Sequence, residues 1–250
     1  MKPATRKQIK DMISRTLSKK IDKHKSETLY SPFFDPIFGK EQVRKTALMQ
    51  SFYTTFGMSI YEQAGKILAE ERGFEAHHQY HLLGSIDART ASLINKVTNE
   101  LKRGKRIGDA AEEMRLIRNH IKKSKPKESP NNIVDLFIKD KKGREYYFGI
   151  STVKQNKEGF ENHKNKLLRW MGLRLSQGKG AKFSVSTVLP YNPYYPKKYS
   201  RFASDTLFDR SQLLIQEDFW DFVGGKGTFD ELADICAEVG KELRAKIDSL

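Results

Sequence analysis

The apolar positions divide the chain into a long stretch with helical spacing and a shorter one in which the period changes. Ile9, Met12, Ile13, Leu17 and Ile21 recur at three- and four-residue intervals and predict an amphipathic first helix. After "SPFFDPIFGKE", whose two prolines mark a loop, Val43, Ala47, Leu48, Phe52, Phe56, Ile60, Ala64, Ile67 and Leu68 predict a helix over 43–72. Leu93 to Leu101 repeats the pattern, and Ile107 to Ile121 turns Met114, Ile117 and Ile121 to one side. The basic, proline-containing run "KKSKPKESPNN" (Lys122 to Asn132) then breaks the helical spacing.

Beyond it, Ile133 to Lys139 and Glu145 to Val153 are rich in β-branched and aromatic residues. "KDKKGR", with Gly143, lies between them as the turn of a hairpin. Helical spacing returns over Gly159 to Gln177, with Phe160, Leu167, Leu168, Met171 and Leu175 on one side. "AKFSVSTVLPYNP" supplies a strand ending at Pro190, and "QLLIQ" (Gln212 to Gln216) a short further strand. A helix around Asp218 to Phe222 follows, and a last one runs from Thr228 as N-cap to Ile247. A hairpin, a crossover helix and further strands make a mixed sheet, so the fold class is α/β with a helical N-terminal region. The division is 1–121 helical and 122–250 core with C-terminal helices, the two forming one integrated domain.

Charge narrows the function. The chain has 250 residues, 38% of them hydrophobic, and a net charge of +15. A small substrate makes no use of such charge, whereas a phosphate backbone does. The single Cys236 excludes a disulfide framework and a multi-cysteine zinc site. No apolar run suits a membrane span, and the basic N-terminus lacks the apolar centre of a signal peptide, so a cytoplasmic protein is expected.

The hairpin is where metal chemistry fits. Carboxylates at the ends of adjacent strands hold Mg²⁺ through oxygen while leaving room for water and phosphate. With the turn near Lys142, Asp135 lies across from position 149, and positions 149 and 151 share its face. Those slots suit a second carboxylate and a lysine, and they hold Gly149 and Ser151. Lys154 reaches the same side if the strand bulges or ends before it. Glu113, at the border of the apolar face of the preceding helix, and its neighbour Glu112 are the candidate acids from outside the hairpin. Taken alone, Asp135 reads equally well as a strand-start residue bonded to its own turn, and Glu112 as a solvated partner of an arginine or lysine.

Larger blocks bring in a resemblance. "SFYTTFGMSIYEQAGKILAEE", "DLFI…YYFGISTVKQNKEGFENHKNKLLRW", "VLPYNPYYP" and "EDFWDFVGGKGTFDELADICAEVGKEL" together resemble type II restriction endonucleases of the PD-(D/E)xK nuclease superfamily. More narrowly, they look like the group that cuts GGNCC-type sites. The resemblance implies a restriction-endonuclease-like core and a Mg²⁺-dependent homodimer that cuts double-stranded DNA at a specific sequence, with a cognate methyltransferase as functional partner. It puts Asp135 in the first metal-ligand position, Glu113 or Glu112 in the place of the helix-borne acid, and Lys154 or a neighbour beside the attacking water. The departure from the family pattern is Gly149-Ile150-Ser151, where acid-x-lysine is expected.

For DNA contact, Asn156, Lys157, Lys164, Lys166, Arg169 and Arg174 surround the helix after the hairpin, and Lys197, Lys198 and Arg201 interleave with tyrosines in "YNPYYPKKYSR". "HHQYH" (His77 to His81) reads as a polar helix start or a DNA-facing loop. The leading expectation is the endonuclease. The alternatives are a non-cleaving DNA-binding protein with a degenerate nuclease fold, and an RNA-binding or RNA-processing protein.

Overall fold

The N-terminal apolar stripe folds as helix α1 (Pro3–Asp22), with Ile9, Ile13 and Ile21 buried. The structure is a computed structural model and describes residues 1–23, 31–125, 127–129, 132–201 and 204–248. Pro126, Pro130 and Asn131 of the expected break after residue 121 lie outside the described residues. The helix expected over 43–72 is longer and not uniform. It comprises α3 (Lys40–Thr55), a π-helical turn (Phe56–Ile60) and α4 (Tyr61–Glu71), preceded by the short α2 (Asp35–Phe38). A π turn shifts the phase of the helix after it and is frequent near functional sites. Here it comes one residue before the first turn of α4, which carries Glu62.

The "HHQYH" segment corrects the sequence reading, because it is neither helix nor loop. It belongs to strand β1 (Glu75–His81), at the edge of the sheet. Its alternation is invisible in the sequence because one edge and most of both faces are exposed. Only Ala76 is buried, and Tyr80 is half-buried, stacked on Phe137 at 4.3 Å between ring centres. Helices α5 (Ala88–Lys102) and α6 (Ala110–His120) follow, each N-capped by an aspartate: Asp87 accepts from Thr90 N–H at 3.0 Å and Asp109 from Glu112 N–H at 2.9 Å.

The hairpin forms as read, from β2 (Ile133–Lys139) and β3 (Glu145–Ile150). Asp140 closes its turn by accepting from Lys142 and Arg144 N–H groups at 2.8 and 2.9 Å, and Gly143 takes φ 76°. Strand β3 ends at Ile150, short of the expected Val153. Then come α7 (Lys157–Gln177), β4 (Phe183–Leu189), α8 (Ser204–Leu207), β5 (Leu213–Ile215), α9 (Glu217–Gly224) and α10 (Thr228–Asp248).

The sheet order is β1-β2-β3-β4-β5, antiparallel through β3 and parallel beyond it. One face packs Phe137, Tyr147, Val185 and Leu189 against α7, with Leu167, Leu168 and Trp170. The other packs Leu136, Ile138, Phe148 and Val188 against Leu68, Phe219 and Ile235. This three-layer α/β arrangement with a helical N-terminal region is the expected fold class. The sheet crosses the expected division near residue 121, since β1 pairs with β2 along its length.

Candidate active site

Strand register brings Gln79, Asp135, Gly149 and Thr187 into one row. His78 pairs with Leu136 and Tyr80 with Val134, Leu136 pairs with Phe148, and Gly149 with Thr187. The row is distorted at Gln79, which takes φ 50°, an uncommon conformation for a residue with a side chain. The strands also part at Asp135. Its Oδ2 accepts from the Ile150 N–H at 2.7 Å, and its Oδ1 from the Lys166 ammonium at 3.0 Å.

Glu62, on the first turn of α4, is the second acid of this site. Its side chain is 4% exposed, and both of its oxygens accept from Gln79 Nε2, at 2.9 and 2.8 Å. Burial raises its pKa from the ordinary 4.5 to about 7. The Gln79 hydrogen bond opposes that rise, the Asp135 charge adds to it, and the Lys166 charge again opposes it. His78 Nδ1 stands 4.0 Å from Glu62 Oε2 at the open side. The Asp135 carboxylate, whose charge is felt at Glu62, and the Glu62 carboxylate make, against one cation, an anionic donor set of hard oxygens. Among the described residues no group of three or more His, Cys, Asp and Glu side chains is placed to hold a metal. Mg²⁺ fits this pair, since it is commonly bound by one or two carboxylates and completes its shell with water and phosphate oxygens.

The slot across from Asp135 is filled from α7. A Cβ built on Gly149 would lie 3.3 Å from Trp170 Cη2 and 3.6 Å from His163 Nδ1. An acid there would have to displace a fully buried indole. Burial, followed by the nearby Lys166 charge, lowers the His163 pKa to about 4, so the imidazole beside Gly149 is neutral at physiological pH. Ser151 is buried too, and its hydroxyl donates to Thr152 O at 3.4 Å.

A strand carboxylate, a buried helix carboxylate and a lysine on a mixed sheet suit phosphodiester hydrolysis, and known proteins point the same way. The model of the HinfI type II restriction endonuclease family matches residues 1–240. The chain belongs to the HinfI family of type II restriction endonucleases. Among curated relatives, this HinfI-family chain is 26% identical to the type II restriction enzyme MjaII of Methanocaldococcus jannaschii, over 93% of its own length and 68% of that enzyme. It is 22% identical to HgiEI of Herpetosiphon aurantiacus over 98% of its own length and 96% of the other, and 23% identical to HgiCII of the same organism over 86% and 80%. The family resemblance read from the sequence is thereby shown, and with it a nuclease acting on double-stranded DNA.

In this HinfI-family fold the expected acids of α6 have other partners. Glu113 lies fully buried against the Lys164 ammonium at 2.6 Å and also accepts from Gln212 Nε2 at 2.8 Å. Burial pushes Glu113 up and Lys164 down, so this pair braces α6 to α7 at an electrostatic cost. Glu112 is paired with Arg115 at 2.7 Å on the surface. The acid that feels Asp135 is Glu62. It stands three residues before Gly65 and seven before Ala69, both buried, so an ionisable residue inside a buried helical stripe was the signal in the sequence.

Lys154 is exposed in the turn after β3, while Lys166 touches Asp135. Of the expected DNA-contact residues, Lys164 is corrected, because an ammonium with no exposed surface, already bonded to Glu113 and Gln212, cannot reach a phosphate. Arg174 is held by Glu145 through both of its terminal contacts, one at 3.0 Å. Asn156 caps α7 by accepting from Gly159 N–H at 2.8 Å, and Arg169 is half-buried. Lys157 stands exposed at the start of α7, Lys197 and Lys198 are exposed on the tyrosine-rich loop, and Arg201 donates to the Tyr194 hydroxyl at 3.1 Å.

Proposed function

We propose that this HinfI-family chain is a Mg²⁺-dependent site-specific endonuclease whose metal site is Asp135 and Glu62. The reading is supported by the Asp135 charge adding to the rise at Glu62 and by Gln79, which binds both Glu62 oxygens from between the residues that flank Asp135 in the strand pairing. A bound Mg²⁺ supplies Lewis acidity to the scissile phosphate and to the attacking water. The protein's own residues orient the site. The Ile150 N–H fixes the Asp135 carboxylate, and Gln79 fixes that of Glu62.

A cleft lined by Lys7, Asp11, Arg15, Gln63, Lys66 and His78, in which Lys7 is paired to Asp11 at 2.6 Å, reaches Glu62 through His78 and supports a path for the DNA backbone along α1 and α4. Each subunit of a homodimer would cut one strand. The enzyme works in the cytoplasm, as one integrated domain, alongside a methyltransferase that protects the host's own sites. No helix among the described residues is long and apolar enough to cross a membrane.

A second reading, a non-cleaving DNA-binding protein, is favoured by one observation: Gly149 and Ser151 occupy the acid and lysine slots. Incubation with phage DNA and Mg²⁺ separates the two. The proposal expects discrete fragments from the parent protein and none from Asp135→Ala. Tight DNA binding without cleavage in either Mg²⁺ or Mn²⁺ refutes it.

A further inference from the structure

We infer that Lys166, presented by helix α7, is the catalytic cation of this enzyme, in place of a lysine on strand β3. The inference rests on the endonuclease reading above and deepens it. Ser151 holds the strand slot and is buried with its hydroxyl on a neighbouring carbonyl. Lys166 Nζ lies 3.0 Å from Asp135 Oδ1 and 4.8 Å from the centre of the Trp170 ring.

His163, Lys166 and Trp170 follow one another at three- and four-residue intervals, so they form one face of α7. That face meets Asp135 and Gly149. The departures in the strand therefore belong to one rearrangement. Gly149 leaves room for the indole, the indole face meets the lysine ammonium, and the lysine reaches the aspartate without a residue at 151. Its side chain is 30% exposed, so the residue is not sealed in the core as Lys164 is.

When a phosphodiester enters, the Lys166 ammonium turns from Asp135 Oδ1 to a non-bridging phosphate oxygen and to the attacking water, keeping its protons throughout. The water oxygen forms a new bond to phosphorus. The bond to the leaving deoxyribose oxygen breaks, with its electron pair going to that oxygen. The water's proton passes to solvent and the leaving oxygen takes one from solvent, so each cut consumes one water.

The test compares Lys166→Met, Lys154→Met and the parent protein in three measurements. These are cleavage in Mg²⁺, DNA binding in Ca²⁺, and Mn²⁺ binding to the free protein. Lys166→Met is expected to lose cleavage by a factor on the order of 10²–10³, the usual effect of removing one group that stabilises transition-state charge. It should keep its DNA affinity and bind Mn²⁺ at least as tightly, because a cation competing for Asp135 is gone. Lys154→Met should cut like the parent.

A chemical rescue guards against a merely structural role. The chain's one cysteine is the exposed Cys236, so Lys166→Cys combined with Cys236→Ser gives a single thiol. Its alkylation with bromoethylamine rebuilds the ammonium and should restore cleavage. The inference is overturned if Lys166→Met cuts at the parental rate, if aminoethylation restores nothing, or if Lys154→Met is the inactive variant. A parent protein that binds DNA and cuts none refutes the endonuclease reading itself.

Discussion

A carboxyl group kept out of water resists ionisation, and Glu62 is such a group, with its pKa raised to about 7 chiefly by burial. In the metal-free protein the folded state therefore holds a proton more tightly than the unfolded chain. The stability this gives is fully present below about 4.5 and is lost as pH rises through about 7. Glu62→Gln removes that dependence. Thermal unfolding without metal should show the variant more stable than the parent at pH 8, by on the order of 1–3 kcal/mol, with the difference vanishing near pH 4.5. Glu113→Ala should do the opposite. It strands the buried Lys164 ammonium and should cost about 3–5 kcal/mol at neutral pH by denaturant titration. Two acids of one chain thus have opposite signatures, one a buried carboxylate held at a stability cost, the other half of a structural brace.

Helix α7 and strand β3 meet where the sequence is most unusual. The hairpin, the position of Asp135 and the face shared with residue 149 were legible because strand side chains alternate and "KDKKG" fixes the turn. What occupies the space above Gly149 was not legible, since it depends on a helix folding back over the strand from beyond the connecting loop. Trp170 is not among the apolar positions that the helical spacing of 159–177 picks out, and Lys166 reads as one basic residue among several. Strand β1 was missed for a related reason. Edge strands bury little, so "HHQYH" carried no period-two apolar signal. Packing at this contact makes a direct prediction. Gly149→Glu should not strengthen the metal site and should lower stability by about 1–3 kcal/mol, through forced displacement of Trp170. Near-ultraviolet circular dichroism of the indoles, recorded with the unfolding curve, would show whether the ring moves.

Over the whole molecule, a net charge of +15 sits on a sheet whose two faces are covered, so the charge is left for the surface. DNA affinity should fall steeply with salt, with a slope of log affinity on log salt of about −0.9 for each phosphate contacted. If the backbone follows the cleft along α1 and α4, replacing Arg15 and Lys66 with alanine should make that slope shallower by about 1–2. An unchanged slope would send the path elsewhere, toward Lys157, Lys197 and Lys198. Composition alone pointed to a phosphate-bearing partner. It could not say which basic residues meet it, because Lys164 and Arg174 are spent on ion pairs that only the fold brings together.

If Asp135 and Glu62 hold one metal, neutralising either carboxylate abolishes cleavage. The deciding measurement is the single-turnover cleavage rate of Glu62→Gln on phage DNA in Mg²⁺ at pH 8, with Asp135→Asn alongside. A shared site requires Glu62→Gln to be folded, at least as stable as the parent, to bind DNA and to yield no fragments, as Asp135→Asn also should. A Glu62→Gln enzyme that produces the parental fragments at near the parental rate would contradict it.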